Sequence, residues 1–285
     1  MQIAALQMVS SPDLESNLNK AADLVQQAAA RGASLVALPE YFCFMGAHDR
    51  DKLALAEDAV AVGRQPTSGS PIQQQLAHWA LENSVWILGG TVPIRGTAPD
   101  RVYNASIVFS PEGLLAARYD KMHLFCFDNG RERYDEGQVL QAGEVPVACD
   151  MVMSGEPWRM GLSVCYDLRF PELYRSLMQP PCDILAVPAA FTYTTGQAHW
   201  ELLLRARAVE NQCYVIAPAQ GGRHDNGRRT WGHSMVIDPW GEILSVLPEG
   251  EGVVMAEVKA DRLAQVRAQL PALTHRRHTD GHGCG

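Results

Sequence analysis

Met160-Gly161-Leu162-Ser163-Val164-Cys165-Tyr166-Asp167-Leu168-Arg169-Phe170-Pro171-Glu172 passes from a short apolar run into a turn, so Cys165 is expected where a buried strand ends. The carboxyl ends of strands are where α/β sheets build their sites. Two other runs end in the same way. Ser34-Leu35-Val36-Ala37-Leu38-Pro39 precedes Glu40, and Leu114-Leu115-Ala116-Ala117-Arg118-Tyr119-Asp120 precedes Lys121. A thiol, a carboxylate and an ammonium are each presented from a strand end, from which they would converge.

Working outward, strands and helices alternate. A strand is expected over 3–8, then a helix over 12–31 with Leu14, Leu18, Ala22, Val25 and Ala29 on one face. Ser11 is read as its N-cap, Pro12 as its first residue and Gly32 as the residue just past its end. Further strands are expected over 85–88, 107–109, 160–164, 183–187 and 213–217, with a helix over 197–211. Ser110-Pro111-Glu112-Gly113 and Asp238-Pro239-Trp240-Gly241 share one turn grammar, with Pro second and Gly fourth. A last helix over 262–270 should stop at Pro271, before a polar tail. No repeat period and no low-complexity linker divides the chain. It reads as one α/β domain over 1–285, with a core over about 1–260 and a C-terminal helix and tail over 261–285, and the paired hairpins suggest two similar halves.

Composition narrows the function classes. With 47% hydrophobic residues in 285, the chain has enough apolar side chains for a substantial core. No stretch nears the roughly 18 apolar residues of a membrane span, and the opening residues lack the basic start of a signal peptide, so a cytoplasmic location is expected. Seven scattered cysteines with no C-x-x-C pair argue against a disulfide framework or a zinc ribbon. The His and Cys residues of the tail, among them His282 and Cys284, match no ligand spacing, so no metal site is expected. A formal net charge of −8 without a basic stripe argues against nucleic acid as a partner.

Taken together, LVALPEYF around Glu40, YDKMHLF around Lys121 and GLSVCYDLRFPELYR around Cys165 resemble, in order, the Glu-Lys-Cys motifs of the nitrilase superfamily. The resemblance covers nearly the whole chain. Within that superfamily the stretch from Ala190 to Glu201 resembles the Nit-type amidases, and its form FTYTTG is more similar to the deaminated glutathione amidase branch than to the ω-amidases. This resemblance implies a four-layer αββα sandwich, often paired through helices into a homodimer or larger homo-oligomer. It also implies a small anionic amide of a short α-keto acid as substrate.

Amide cleavage needs a nucleophile, a base, an acid for the leaving amine and positive charge at the oxyanion. The motifs imply Cys165 as nucleophile through a thioester, Glu40 as base and acid, and Lys121 with the Tyr166 N–H at the oxyanion. An isolated thiol with a pKa of about 8.5 is only a few per cent ionised at neutral pH, so its charged neighbours matter. These groups supply the needed charges, and no cofactor is called for. Glu136 matches the family's second glutamate, which would orient Lys121 or the substrate. For the substrate carboxylate Arg169 leads, since a guanidinium grips carboxylate bidentately, with Arg131, Arg133 and Arg223 as alternatives. Tyr193, Thr194 and Thr195 would add hydroxyl donors, although a capping turn also accounts for the two threonines. A papain-like grouping of Cys165 with Asp167 and His199 has no local support. Glu201 and Arg205 read as a surface ion pair, and Gly221-Gly222 as a loop breaker. A catalytically silent binding protein on this fold is disfavoured by the joint presence of Glu40, Lys121 and Cys165.

Overall fold

The computed structural model describes residues 1–130 and 132–277. Arg131 and the His and Cys residues of the tail, from His278 on, lie outside the described residues.

The first part of the chain builds strands β1 (Gln2–Gln7), β2 (Ala33–Ala37), β3 (Trp86–Leu88), β4 (Val92–Arg95), β5 (Val102–Phe109) and β6 (Leu115–Asp120). After a two-stranded ribbon, β7 (Cys126–Asp128) and β8 (Arg133–Asp135), a second series follows: β9 (Ala148–Met153), β10 (Glu156–Leu162), β11 (Ile184–Ala186), β12 (Tyr214–Ala217), β13 (Ser234–Ile237) and β14 (Ile243–Leu247). The last strand, β15 (Gly252–Glu257), returns to the first sheet antiparallel to β1. One sheet runs β15-β1-β2-β3-β5-β4 with β6 on β5, and the other runs β14-β13-β12-β11-β10-β9.

The strands alternate as a sandwich requires. Ile3 and Ala5 of β1 enter the core between the sheets, where they join Met151, Met160, Leu162 and Ile216 of the second sheet. Ala4 and Leu6 point the other way, into a core shared with helices α1 (Leu14–Ala30) and α2 (Pro71–Asn83). Ala21, Leu24, Val25 and Ala28 form the buried stripe of α1 at helical spacing. On the far side, α3 (Pro171–Ser176) and α4 (Tyr193–Asn211) cover the second sheet through Leu173, Trp200, Leu204 and Ala208. The layers are therefore α, β, β, α, with α5 (Ala260–Gln269) following β15. Among the described residues no helix is long and apolar enough to cross a membrane.

In each half a parallel strand pair is followed by an antiparallel hairpin: β2, β3 and β5–β6 in one, β11, β12 and β13–β14 in the other. Both hairpins close as their sequences indicate, with Gly113 N–H donating to Ser110 O and Gly241 N–H to Asp238 O, and both glycines at positive φ.

Two helix starts depart from expectation. Asp13, not Ser11, caps α1, its carboxylate accepting from Ser16 N–H at 3.0 Å. Ser11 is held instead by Asn17, which accepts from its N–H and donates to its carbonyl. Helix α4 begins at Tyr193, four residues before the expected Gln197, because Thr192 caps it. The intervening Gly196, a weak helix former, is required by packing, since a Cβ there would fall 2.2 Å from Cβ of Trp231.

Candidate active site

Each sheet delivers part of one cluster. Glu40 lies just past β2 and Lys121 directly follows β6, both from the first sheet, whereas Cys165 begins the turn after β10 of the second. Ala190, past β11, adds a backbone N–H from the second sheet that donates to Glu40 Oε2 at 2.9 Å. Both acid and nucleophile sit at tight turns: Tyr41, the residue after Glu40, has φ 57° and Cys165 has φ 51°. A left-handed non-glycine residue is costly and persists only where its surroundings fix it. For Cys165 the fixing group is Asp167, whose fully buried carboxylate accepts from Val164 N–H and Tyr119 O–H through one oxygen and meets His123 N–H and ring Nδ1 through the other.

Lys121 is wholly buried, and its ammonium donates to Glu40 Oε1 at 2.9 Å and to Glu136 Oε2 and Oε1 at 2.8 and 3.0 Å. Glu40 Oε1 also accepts from Asn104 at 2.8 Å, while Glu136 accepts from the Tyr41 hydroxyl and the Phe125 N–H. Burial alone would lower the Lys121 pKa, yet the charges of Glu136 and then Glu40 hold it well above the ordinary lysine range. Burial likewise acts to raise Glu136, but the Lys121 cation and the hydrogen bonds from Lys121 and Phe125 outweigh it and hold the carboxyl below its usual range. The Cys165 thiol goes the opposite way from activation by charge alone. Burial, followed by the charge of Glu40, pushes it well above its ordinary value, and Lys121 only partly opposes this. Burial and Glu40 thus favour the neutral thiol at rest, which suits proton transfer to Glu40 as the sulfur attacks.

A narrow cleft opens over the thiol, lined by Phe125, Cys165, Tyr166, Arg169, Ala190, Phe191, Thr192 and Thr195. A second pocket, bounded by Tyr41, Lys52 and Asn104, lies behind the carboxylates, and the wide surface depressions around Trp158 and around Glu257 lie away from this chemistry. Arg169 is half-buried, packs over the rings of Phe191 and Tyr166 at 5.4 and 5.7 Å, and meets His199 at 3.2 Å. Thr195 is buried and bonded to Thr192. Tyr193 and Thr194 are not among the cleft-lining residues. Arg229 and Trp231 hold the Tyr193 ring, and Thr194 is exposed and donates to Glu132. Arg133 is exposed near Asp128, and Arg223 is exposed. Asp167 pairs with His123 and not with His199, so the papain-like grouping does not form. Glu201 and Arg205 make the expected exposed pair at 3.4 Å.

The model of the carbon-nitrogen hydrolase family matches residues 2–268. The chain belongs to this family. The hydrolase is 44% identical over 277 residues to the deaminated glutathione amidase of Synechocystis sp., covering 96% of this chain and 97% of that one. Its fold matches a Saccharomyces cerevisiae nitrilase-superfamily structure of branch 10 with a TM-score of 0.85 at 31% identity, covering 98% of this chain and 97% of that one. It also matches a Nesterenkonia amidase with acrylamide added at its active-site cysteine, with a TM-score of 0.75 at 25% identity, covering 95% and 98% of the two chains.

Tyr41, Asn104, Thr192 and the Ala190 N–H escaped the reading of the sequence. Asn104 carried a signal, being a polar residue inside the apolar strand Val102-Tyr103-Asn104-Ala105-Ser106-Ile107. Tyr41 carried only its adjacency to Glu40.

Proposed function

We propose that the hydrolase is an amidase that cleaves deaminated glutathione to 2-oxoglutarate and cysteinylglycine through a thioester on Cys165. The observation that carries this reading is the buried Glu40–Lys121–Glu136 chain beside Cys165, which lines the cleft. As Cys165 Sγ bonds to the amide carbon, its proton passes to Glu40, and the carbonyl oxygen takes up negative charge facing Lys121 and the Tyr166 N–H. Charge is conserved in this step: Glu40 becomes neutral as the oxyanion forms, and Lys121 keeps one negative partner in Glu136. Glu40 then gives the proton to the departing nitrogen. The amine leaves, Glu40 takes a proton from the water that attacks the thioester, and as the C–S bond breaks to free the acid that proton returns to Cys165 Sγ.

Arg169 would hold the α-keto carboxylate, with the Thr195 hydroxyl beside it. The Synechocystis relative's name supports a dipeptide leaving group. Mass-spectrometric product analysis with deaminated glutathione and 2-oxoglutaramate tests the reading. The expected result is release of cysteinylglycine with kcat/KM about tenfold or more above that for 2-oxoglutaramate, since one charge-assisted hydrogen bond to the dipeptide suffices for that factor. A clear preference for 2-oxoglutaramate, with ammonia as product, would make the chain an ω-amidase instead.

A further inference from the structure

Phe125 stands in the middle of a wall of three rings, with Tyr166 at 5.2 Å on one side and Tyr134 at 5.7 Å on the other. Each tyrosine carries a guanidinium: Arg169 lies 5.7 Å over Tyr166, and Arg228, from the loop between β12 and β13, lies 4.9 Å over Tyr134. Both arginines are half-buried, and among the described residues neither is within ion-pair distance of a carboxylate. Arg228 also reaches Met45, which packs with Tyr41 and the cleft residue Ala190, so it stands one layer behind the cleft wall, backing Tyr134 where that ring meets Phe125.

The plain alternative is that Arg228 exists to neutralise Glu136. That carboxylate is already filled by two bonds from Lys121, one from the Tyr41 hydroxyl and one from the Phe125 N–H, and Arg228 makes none. The other nearby cation, Lys52, is engaged by Asp49 and the face of Tyr41. A partly desolvated guanidinium held over a ring, engaged only by Met45 Sδ and the Tyr134 side chain among the described residues and by no carboxylate, keeps donors that can receive one.

We propose that Arg228 grips an anionic group on the leaving-amine side of the substrate, so that the cleft selects amides charged at both ends. This rests on the proposed function, with Arg169 taking the acyl-side carboxylate, and it adds the element that distinguishes a carboxylate-bearing leaving group from an uncharged one.

The test compares deaminated glutathione with its analogue in which the terminal glycine carboxylate is a carboxamide, with 2-oxoglutaramate as a third substrate. In the wild-type enzyme kcat/KM should favour the free acid over the carboxamide by about tenfold or more. Arg228→Gln should bring that ratio close to one. Arg228→Lys, which keeps the charge without the planar fork, should retain part of it and reads the same ratio if the Gln variant does not fold. A purely structural role would lower both rates together and leave the ratio unchanged, and that result would overturn the inference. Turnover of 2-oxoglutaramate with a wild-type ratio near one would overturn the inference alone, whereas no turnover of any of the three overturns the proposed function with it.

Discussion

Replacing Lys121 with Met keeps most of the side chain's length and removes the cation that bonds both Glu40 and Glu136. Two carboxylates would then share a dry site. Breaking a buried ion pair from one side costs about 3–5 kcal/mol, and Lys121 is wholly buried, so solvent screening does not soften this. With an unfolding entropy of about 2.1 cal/mol/K per residue, the chain's entropy is about 0.6 kcal/mol/K, and Tm should fall by about 5–8 °C near pH 8. The pH dependence should change sign as well. In the wild type Glu136 is held below its usual range, so its contribution is present above the unfolded value of about 4.3 and is lost as pH falls through the lower folded value. Lys121 is held above its usual range, so its contribution is present below about 10.4 and is lost as pH rises through the higher folded value. Without the ammonium, desolvation and mutual repulsion push a carboxyl up, and the variant should regain stability relative to the wild type as pH falls from about 8 to about 5. Scanning fluorimetry of both proteins across that range decides the matter. A Tm loss below about 2 °C at pH 8, or a gap that stays constant with pH, would show that the buried charges are not coupled as described.

Cys165→Ala should lower turnover by at least about a thousandfold and abolish the acyl adduct in intact-mass spectra; near-normal turnover would remove Cys165 from the nucleophile's role. Because the thiol is pushed well above its ordinary value, kcat/KM should not climb tenfold per pH unit between about 7 and 9 as it would for a free thiolate nucleophile, and such a climb in a stopped assay would contradict coupled proton transfer to Glu40. Asp167→Asn leaves one acceptor oxygen where the carboxylate met four donors, so it should cost about 3 kcal/mol, or about 5 °C in Tm, and lower kcat by loosening the turn at Cys165. Unchanged melting and rate together would mean that the turn holds itself.

The strand ends were legible because each is a local event: an apolar run stops and a reactive residue follows, as at Pro39-Glu40 and Asp120-Lys121. The partners of those residues were not. Asn104 is 64 positions from Glu40 and Ala190 is 150 away, and only the pairing and stacking of the sheets brings them together. The start of α4 was hidden by Thr194, Thr195 and Gly196, whose weak helical propensity is overruled by the Thr192 cap and by packing against Trp231. Arg228 was invisible for a related reason. Its sequence neighbourhood, Asn226-Gly227-Arg228-Arg229, is that of any solvated loop; both arginines cover tyrosine rings, and what sets Arg228 apart is that Arg229 pairs with Glu249 whereas Arg228 meets no carboxylate among the described residues.

Glu40 and Lys121 ride on one sheet and Cys165 and Ala190 on the other, so the site works as a vernier for the alignment of the two halves. Residues far from the cleft set its reading. Trimming Met160 or Met151 in the interior between the sheets would let one settle across the other, and a displacement near 1 Å at reacting atoms can cost about a hundredfold in rate. Sequence drift in that interior is then filtered by tolerance as well as by volume: a lineage can keep its melting temperature through compensating swaps and still lose its chemistry by misalignment.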